Sequence, residues 1–370
     1  MIDNSILLQE CLAYNTAHMA RDPLLDESPA RLPADFDFEK VEGMLLGLAI
    51  GDALGEPTEG MLPHERRRLC GEQRDYLPAR RRELGSTGAG TDDTQLAFWT
   101  VEQLIDDGGL VPANLVDKFS AEPMVGAGHA VLSAITRHRS GELPWQLCGV
   151  ESMGNGAIMR IAPTLLPYLQ DPRPSMYADA ALDTMVTHNE AGNMACCVAF
   201  VSMLWKLLAM RSSPEPEWWM EEYARVASVL EGPTAYSPRL ERCAAYSGPL
   251  WEYAVDKCGA ALKERMTVLE ACESWGSGAY LMETMPSVLY VLARHGHEPE
   301  TAIVRAVNDT KDNDTIAAIV GAAVGALHGL AGLPQRWIRG LTGRVRENDD
   351  ENVFRLLLAA KQAFWLRHQP

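Results

Sequence analysis

Glycine recurs at every fourth position along two stretches of this chain: Gly43, Gly47, Gly51 and Gly55 in one, Gly321, Gly325 and Gly329 in the other. On a helix that spacing puts each set on a single face. Inside a helix, glycine costs about 1 kcal/mol relative to alanine. A repeated stripe of it makes sense where two backbones must approach more closely than side chains allow. The spacing predicts two central, tightly packed helices. From Val41 onward apolar residues follow helical periodicity almost without break, and alternating β-branched runs are absent, so the chain reads as all-α. Further helix candidates are 198–210, 217–230, 239–257 and 282–294. The longer gaps, around 60–90, 120–160 and 231–238, suit the rim of a cleft.

Each glycine stripe adjoins acidic residues. Gly90-Thr-Asp-Asp-Thr94 and Asp312-Asn-Asp-Thr315 lie more than 200 residues apart, and each directly precedes a helical stretch. Asp and Thr are good N-cap residues, so either segment alone could simply start a helix. Two acids crowded into each start exceed what capping needs. If the fold joins them, four carboxylates and hydroxyls converge, a costly cluster unless a hard divalent cation neutralises it. All-oxygen ligands suit Mg²⁺ or Mn²⁺.

At 370 residues the chain could form one large domain or two, and 47% hydrophobic residues suffice for a core. A formal charge of −17 argues against nucleic acid or an anionic membrane as partner. The basic cluster Arg66-Arg67-Arg68 with Arg80-Arg81-Arg82 reads as a solvated face or loop. The cysteines Cys11, Cys70, Cys148, Cys196, Cys197, Cys243, Cys258 and Cys272 show no zinc spacing and read as reduced, consistent with a cytoplasmic protein. No signal peptide is evident, and no stretch reads as a membrane span of ~18–20 apolar residues.

Residues 1–40 differ from the rest. They hold Pro23, Pro29 and Pro33 and eight acids against three bases. They read as a short helix followed by a poorly ordered acidic linker, an extension to a second segment at 41–370. Such an extension can dock on its own domain or serve as a partner-binding arm.

Four further segments carry functional residue types. Gly51-Asp-Ala-Leu-Gly-Glu-Pro-Thr-Glu59 ends a glycine helix with acids, where carboxylates oppose the helix dipole. Gly154-Asn-Gly-Ala-Ile-Met-Arg160 is a turn whose amides could cradle a phosphate. Thr187-His188 sits at a helix start, and Gly276-Ser-Gly-Ala-Tyr280 is a glycine-rich loop. Each alone suits a turn, cap or linker. Taken in order with the two acidic segments, and with Leu333-Pro-Gln-Arg-Trp-Ile-Arg-Gly-Leu341 near the end, the series resembles the ADP-ribosylglycohydrolase family over roughly Val41 to Arg344.

The resemblance implies an orthogonal multi-helix bundle that hydrolyses ADP-ribosylated protein at two Mg²⁺ (or Mn²⁺) ions. It implies Thr91, Asp92, Asp93, Asp312, Asp314 and Thr315 as metal ligands, with Asp92 or Asp314 orienting the attacking water or acting as base. Glu59 matches a residue controlling substrate entry. Gly154, Asn155, Gly156 and His188 match the ribose and phosphate site, and Gly278 and Tyr280 a loop beside the leaving group that favours arginine as the acceptor. One departure is Asn308-Asp-Thr-Lys311 before Asp312, where relatives often carry Gly-Gly-Asp; Lys311 could alter the local field. The resemblance leaves open reversal of a cell's own modification, a non-catalytic ADP-ribose-binding protein, or immunity to an ADP-ribosyltransferase toxin. For immunity, residues 1–40 would occlude the toxin through Leu24, Leu25, Phe36 and Phe38.

Overall fold

A computed structural model describes residues 3–366 of the chain, apart from residues 82 and 84. Arg82 and the outermost residues of both proposed segments lie outside the described residues. The first eight helices are α1 (Asn4–Ala13), α2 (Glu39–Gly55), α3 (Pro63–Cys70), α4 (Asp92–Asp107), α5 (Pro112–Ala121), α6 (His129–Ser140), α7 (Ser175–Met185) and α8 (Ala191–Ala209). The others are α9 (Pro216–Glu231), α10 (Leu250–Glu264), α11 (Val268–Trp275), α12 (Leu281–His295), α13 (Pro299–Asp309), α14 (Asn313–His328), α15 (Gln335–Gly340) and α16 (Asn352–Phe364). Extended pairing among the described residues is limited to isolated bridges. The all-α expectation holds.

Helices α2 and α14 run antiparallel through the middle, and the glycine stripes are where they touch. A Cβ placed on Gly47 would lie 2.1 Å from the Gly321 carbonyl oxygen, and one on Gly321 would lie 2.0 Å from that of Gly47. Gly43 faces Gly325 and Gly329, Gly51 faces Ala317, and Gly55 lies against the Asp314 backbone. The stripe therefore does more than pack two helices. It sets the C-terminal end of α2 on the N-terminal turn of α14.

Arg66 corrects the reading of the arginine cluster as solvated. Arg67 and Arg68 are exposed, but Arg66 is fully buried. Its guanidinium donates to Thr58 Oγ1 (2.9 Å), Thr310 O (2.8 Å), Asn308 O (3.1 Å), Thr58 O and Met61 O (both 3.2 Å). It joins the turn after α2 to the turn before α14. Burial lowers its pKa to about 10, so it stays charged at neutral pH.

Residues 3–40 are not a loose linker. Leu8, Cys11, Leu24, Leu25, Phe36 and Phe38 belong to the same buried core as the rest of the chain. Asn4 donates to Asp179 Oδ1 (2.6 Å), Asn189 bonds His18 N (3.0 Å) and Thr16 O (2.7 Å), and Trp205 Nε1 donates to Ala30 O (2.8 Å). Prolines broke the periodicity, and the apolar anchors found partners within the chain.

Three other expectations need correcting. The 239–257 helix starts only at Leu250, because Gly248 and Pro249 end the preceding loop and Pro249 cannot continue an earlier helix. The 120–160 gap contains α6. Helix α8, with 19 residues and mean hydropathy 1.5, is long and apolar enough to cross a membrane; 89% of that window is buried within the fold.

Candidate active site

The N-terminal turns of α4 and α14 meet at the floor of a cleft of about 1000 Å³. Carboxylate oxygens of Asp52, Asp93 and Asp314 lie within 4.8 Å of one another, as do those of Glu59, Asp312 and Asp314. Thr91 and Thr315 each place a hydroxyl 3.4 Å from Asp93 Oδ2. Thr91, Asp92, Asp93, Asp314 and Thr315 are all buried. Neither Thr91 nor Asp312 caps its helix with its side chain. The acids face the cleft instead.

Asp52 explains how the α4 turn is held, and the sequence reading passed over it. Its carboxylate accepts from Thr91 N (2.7 Å), Thr91 Oγ1 (2.8 Å), Thr94 N (3.0 Å) and Thr94 Oγ1 (2.5 Å). A residue of α2 thus caps α4 from outside. Four donors occupy most of its lone pairs, so Asp52 orients Thr91 and Thr94 and is poorly placed to be a principal ligand, despite its proximity to Asp93 and Asp314. The available signal was an acid one position after a packed glycine in an otherwise apolar helix.

Electrostatics show what this cluster lacks. Burial first, then neighbouring carboxylates, pushes Asp92 up to about 8 and holds Asp93 and Asp314 well above the usual carboxylate range. Burial raises Asp312 to about 6 against the opposing hydrogen bond from Asn155. Asp93 Oδ1 is buried with no hydrogen-bond partner among the described residues. Such an oxygen is expensive to bury unless a cation or donor meets it. An all-oxygen donor set with an orphaned carboxylate oxygen fits a hard divalent cation. Arg81 approaches the cluster: it pairs with Glu59 through Nη2, while its buried Nη1 has no partner among the described residues. The Glu56 carboxylate accepts from the backbone N–H groups of Arg80 (3.1 Å) and Arg81 (3.0 Å), fixing that loop. Lys311 is exposed; its backbone N–H, like that of Asp312, bonds Ser277 O (3.2 and 2.8 Å).

Backbone pairing gathers the three glycine- and histidine-bearing segments into the opposite wall. Gly154 bridges Tyr280, with Asn155 N–H on Ala279 O (3.1 Å) and Leu281 N–H on Met153 O (2.8 Å). Val150 bridges His188. The Asn155 amide is committed: it donates to Asp312 Oδ2 (2.6 Å) and Thr284 Oγ1 (3.1 Å), tying this wall to the second acidic turn. Gly156, His188 and Tyr280 line the cleft, as do Gly126, Gly128 and His129, which sequence reasoning missed. Gly278 sits behind the lining, its N–H on Glu283 Oε2 (2.8 Å) and its carbonyl on Thr284 Oγ1 (2.9 Å).

His188 has a defined protonation. Buried Arg160 pairs with Asp183 and donates to Thr187 Oγ1 (2.9 Å), which lies 2.9 Å from His188 Nδ1. That hydroxyl accepts from Arg160 and keeps one proton and a second lone pair, so it can serve Nδ1 as donor or as acceptor. Burial, then the Arg160 charge, lowers the His188 pKa to about 3. The side chain is a neutral imidazole at the cleft wall. Arg160, inside the Gly-Asn-Gly motif, supports this arrangement from the core.

The fold and cleft define an all-α scaffold with an acidic cleft, and comparison with known proteins makes the assignment specific. A family model described as ADP-ribosylglycohydrolase matches residues 33–365. A relative from Archaeoglobus fulgidus, itself described only as an uncharacterized protein, is 31% identical over 316 residues, covering 83% of this chain and 92% of the relative. The ADP-ribosylarginine hydrolase Tri1 of Pseudomonas putida is 24% identical, covering 90% and 83%. A solved structure titled ADP-ribosylglycohydrolase-related protein complex superposes with a TM-score of 0.64 at 25% identity, covering 88% of this chain and 98% of that one. The chain belongs to the ADP-ribosylglycohydrolase family and is an ADP-ribosyl hydrolase.

Proposed function

We propose that this enzyme is divalent-metal-dependent and releases ADP-ribose from ADP-ribosyl-arginine protein. The observation that carries the metal dependence is the meeting of the α4 and α14 turns, with Asp93, Asp312, Asp314 and Glu59 gathered at the cleft floor and Asp93 Oδ1 unpaired. Thr91, Asp92, Asp93, Asp312, Asp314 and Thr315 would hold two Mg²⁺ or Mn²⁺ ions. Such ions, when bound, supply Lewis acidity that fixes ribose hydroxyls and acidifies a water near neutral pH.

The protein groups do the rest. Asp92 or Asp314 accepts the proton of the attacking water as it adds to the anomeric carbon, and the arginine guanidine leaves. Glu59, beside Asp312 and Asp314 and paired with Arg81, can receive the substrate's guanidinium in place of that internal one. The neutral His188 imidazole lines the cleft beside the Gly154–Gly156 backbone, the wall proposed for the ribose and phosphates. Tyr280 lines that same wall, paired with Gly154. The arginine acceptor takes support from the Tri1 relative, whose name states that activity.

Toxin immunity through residues 1–40 gains no support from the packing, because Leu24, Leu25, Phe36 and Phe38 are buried in this chain. The non-catalytic reading has no observation in its favour: each acidic position is filled. The deciding experiment compares release of ADP-ribose from arginine-modified and serine-modified protein, with Mg²⁺ and with EDTA. The proposal expects release from arginine only, and only with metal. Equal release in EDTA would refute the metal site, while preferential release from serine would refute the acceptor.

A further inference from the structure

Charge is unevenly distributed in the cleft. Its floor carries Glu59, Asp92, Asp93, Asp312 and Asp314. At the far wall stands Arg239, the one Lys or Arg among the described lining residues. His188 nearby is neutral, its pKa lowered to about 3. Arg239 is exposed and makes no ion pair or hydrogen bond among the described residues; its guanidinium lies over the Tyr280 ring, 4.4 Å from the centroid.

The loop that presents Arg239 is firmly built. Tyr280 OH donates to Ser237 O (3.1 Å), so the ring under the guanidinium also anchors its loop. Tyr236 and Gly248 exchange backbone hydrogen bonds (2.9 and 3.1 Å) across the loop's base. Tyr236 OH donates to Glu190 and accepts from Gly192 N–H (3.0 Å), pinning the loop to the start of α8. The Glu231 carboxylate accepts from Leu250 N–H (2.5 Å) and Trp251 N–H (3.0 Å), closing the other end on α10. A guanidinium is thus held over an aromatic ring, its N–H donors meeting no protein acceptor among the described residues. Arginine held this way is suited to forked recognition of phosphate oxygens.

We propose that Arg239 binds the diphosphate of the ADP-ribosyl group and that Tyr280 positions it to do so. The inference rests on the ADP-ribosyl substrate proposed above. Its physical basis is that a dianionic linker entering a cleft with an acidic floor needs a fixed positive charge at the other end. The same separation sets direction: phosphates toward Arg239, the scissile bond toward the acids.

Calorimetric titration of ADP-ribose in Mg²⁺, with wild type, R239M and R239K, tests this directly. R239M keeps an apolar stem on Tyr280 and removes the charge. Its Kd is expected to rise roughly 10- to 100-fold, the scale of a charged hydrogen bond, with partial recovery in R239K. Because the diphosphate is not at the reacting bond, kcat on ADP-ribosyl-arginine protein should change by no more than about threefold while KM rises. An unchanged Kd in R239M overturns the inference while leaving hydrolysis standing. So does a raised KM for protein substrate with unchanged ADP-ribose binding, which would make Arg239 a contact for the acceptor protein. A hydrolytically inactive wild type that binds no ADP-ribose would sink the parent reading with it.

Discussion

Asp314→Asn is expected to abolish release of ADP-ribose while making the metal-free protein more stable. The two effects come from one cause. Asp314 lies against Asp93, Asp312 and Glu59, and its carboxylate is pushed well above the ordinary range by burial first, then by Asp312, Glu59 and Asp52. An amide keeps the shape and removes a repelled charge. Without cation binding the reaction loses Lewis-acid stabilisation worth several kcal/mol, a factor of roughly 10³ or more in kcat. Thermal melts in EDTA should show the substituted protein melting above wild type, and Mg²⁺ should no longer raise its Tm. Full turnover, or a lower metal-free Tm with the Mg²⁺ response intact, would contradict the assignment.

The same reasoning fixes a sign for pH. A carboxyl whose folded pKa is raised holds its proton longer in the folded state. Its contribution to stability is complete below about pH 4 and is lost as pH rises through the folded pKa. For Asp312 that loss runs to about 6, and for Asp92 to about 8. Metal-free wild type should therefore lose stability between pH 4 and 8, and the gain from Mg²⁺ should grow over that range. A metal-free Tm that rises across the window would show that the buried acids are already neutralised by the protein.

Gly47→Ala should be strongly destabilising, although helix propensity alone predicts the reverse by about 1 kcal/mol. The added methyl would lie 2.1 Å from the Gly321 carbonyl oxygen, a backbone atom that no rotamer change can move. The helices must separate along the whole stripe, and overpacking of this kind costs about 3 kcal/mol or more. A fall of roughly 5 °C or more in Tm is expected. Activity should fall further than stability, because the stripe also sets Gly55 on the Asp314 backbone. Gly259→Ala on α10 is the control: its methyl would meet nothing nearer than Met220 Sδ at 4.0 Å. It should raise stability by about 0.5–1 kcal/mol. Destabilisation of similar size at both positions would mean that close backbone contact is not what the stripe is for.

The parts of this molecule legible in the sequence are those whose cause is local or periodic. Glycine at every fourth position forecast the α2–α14 contact, and paired acids before helical stretches forecast two carboxylate-bearing turns. Asp52 was hidden because its partners are on another helix; nothing in its own neighbourhood shows that it caps α4. Arg66 looked like surface beside Arg67 and Arg68, because a sequence does not display the carbonyls of Thr58, Asn308 and Thr310 converging on one point. The prolines and acids of residues 1–40 read as poor order, whereas Phe36 and Phe38, buried in the common core, mark where the segment packs. The bridge from Asn155 to Asp312 likewise depends on two loops meeting, which motif order alone does not specify.

Anomalous diffraction from crystals grown with Mn²⁺ tests the central claim most directly. The account predicts density at the junction of the α4 and α14 turns, within coordination distance of Asp93 and Asp314 oxygens, and its absence in Asp314→Asn crystals. Mn²⁺ bound only elsewhere, or an active enzyme with no ion at that junction, would contradict it.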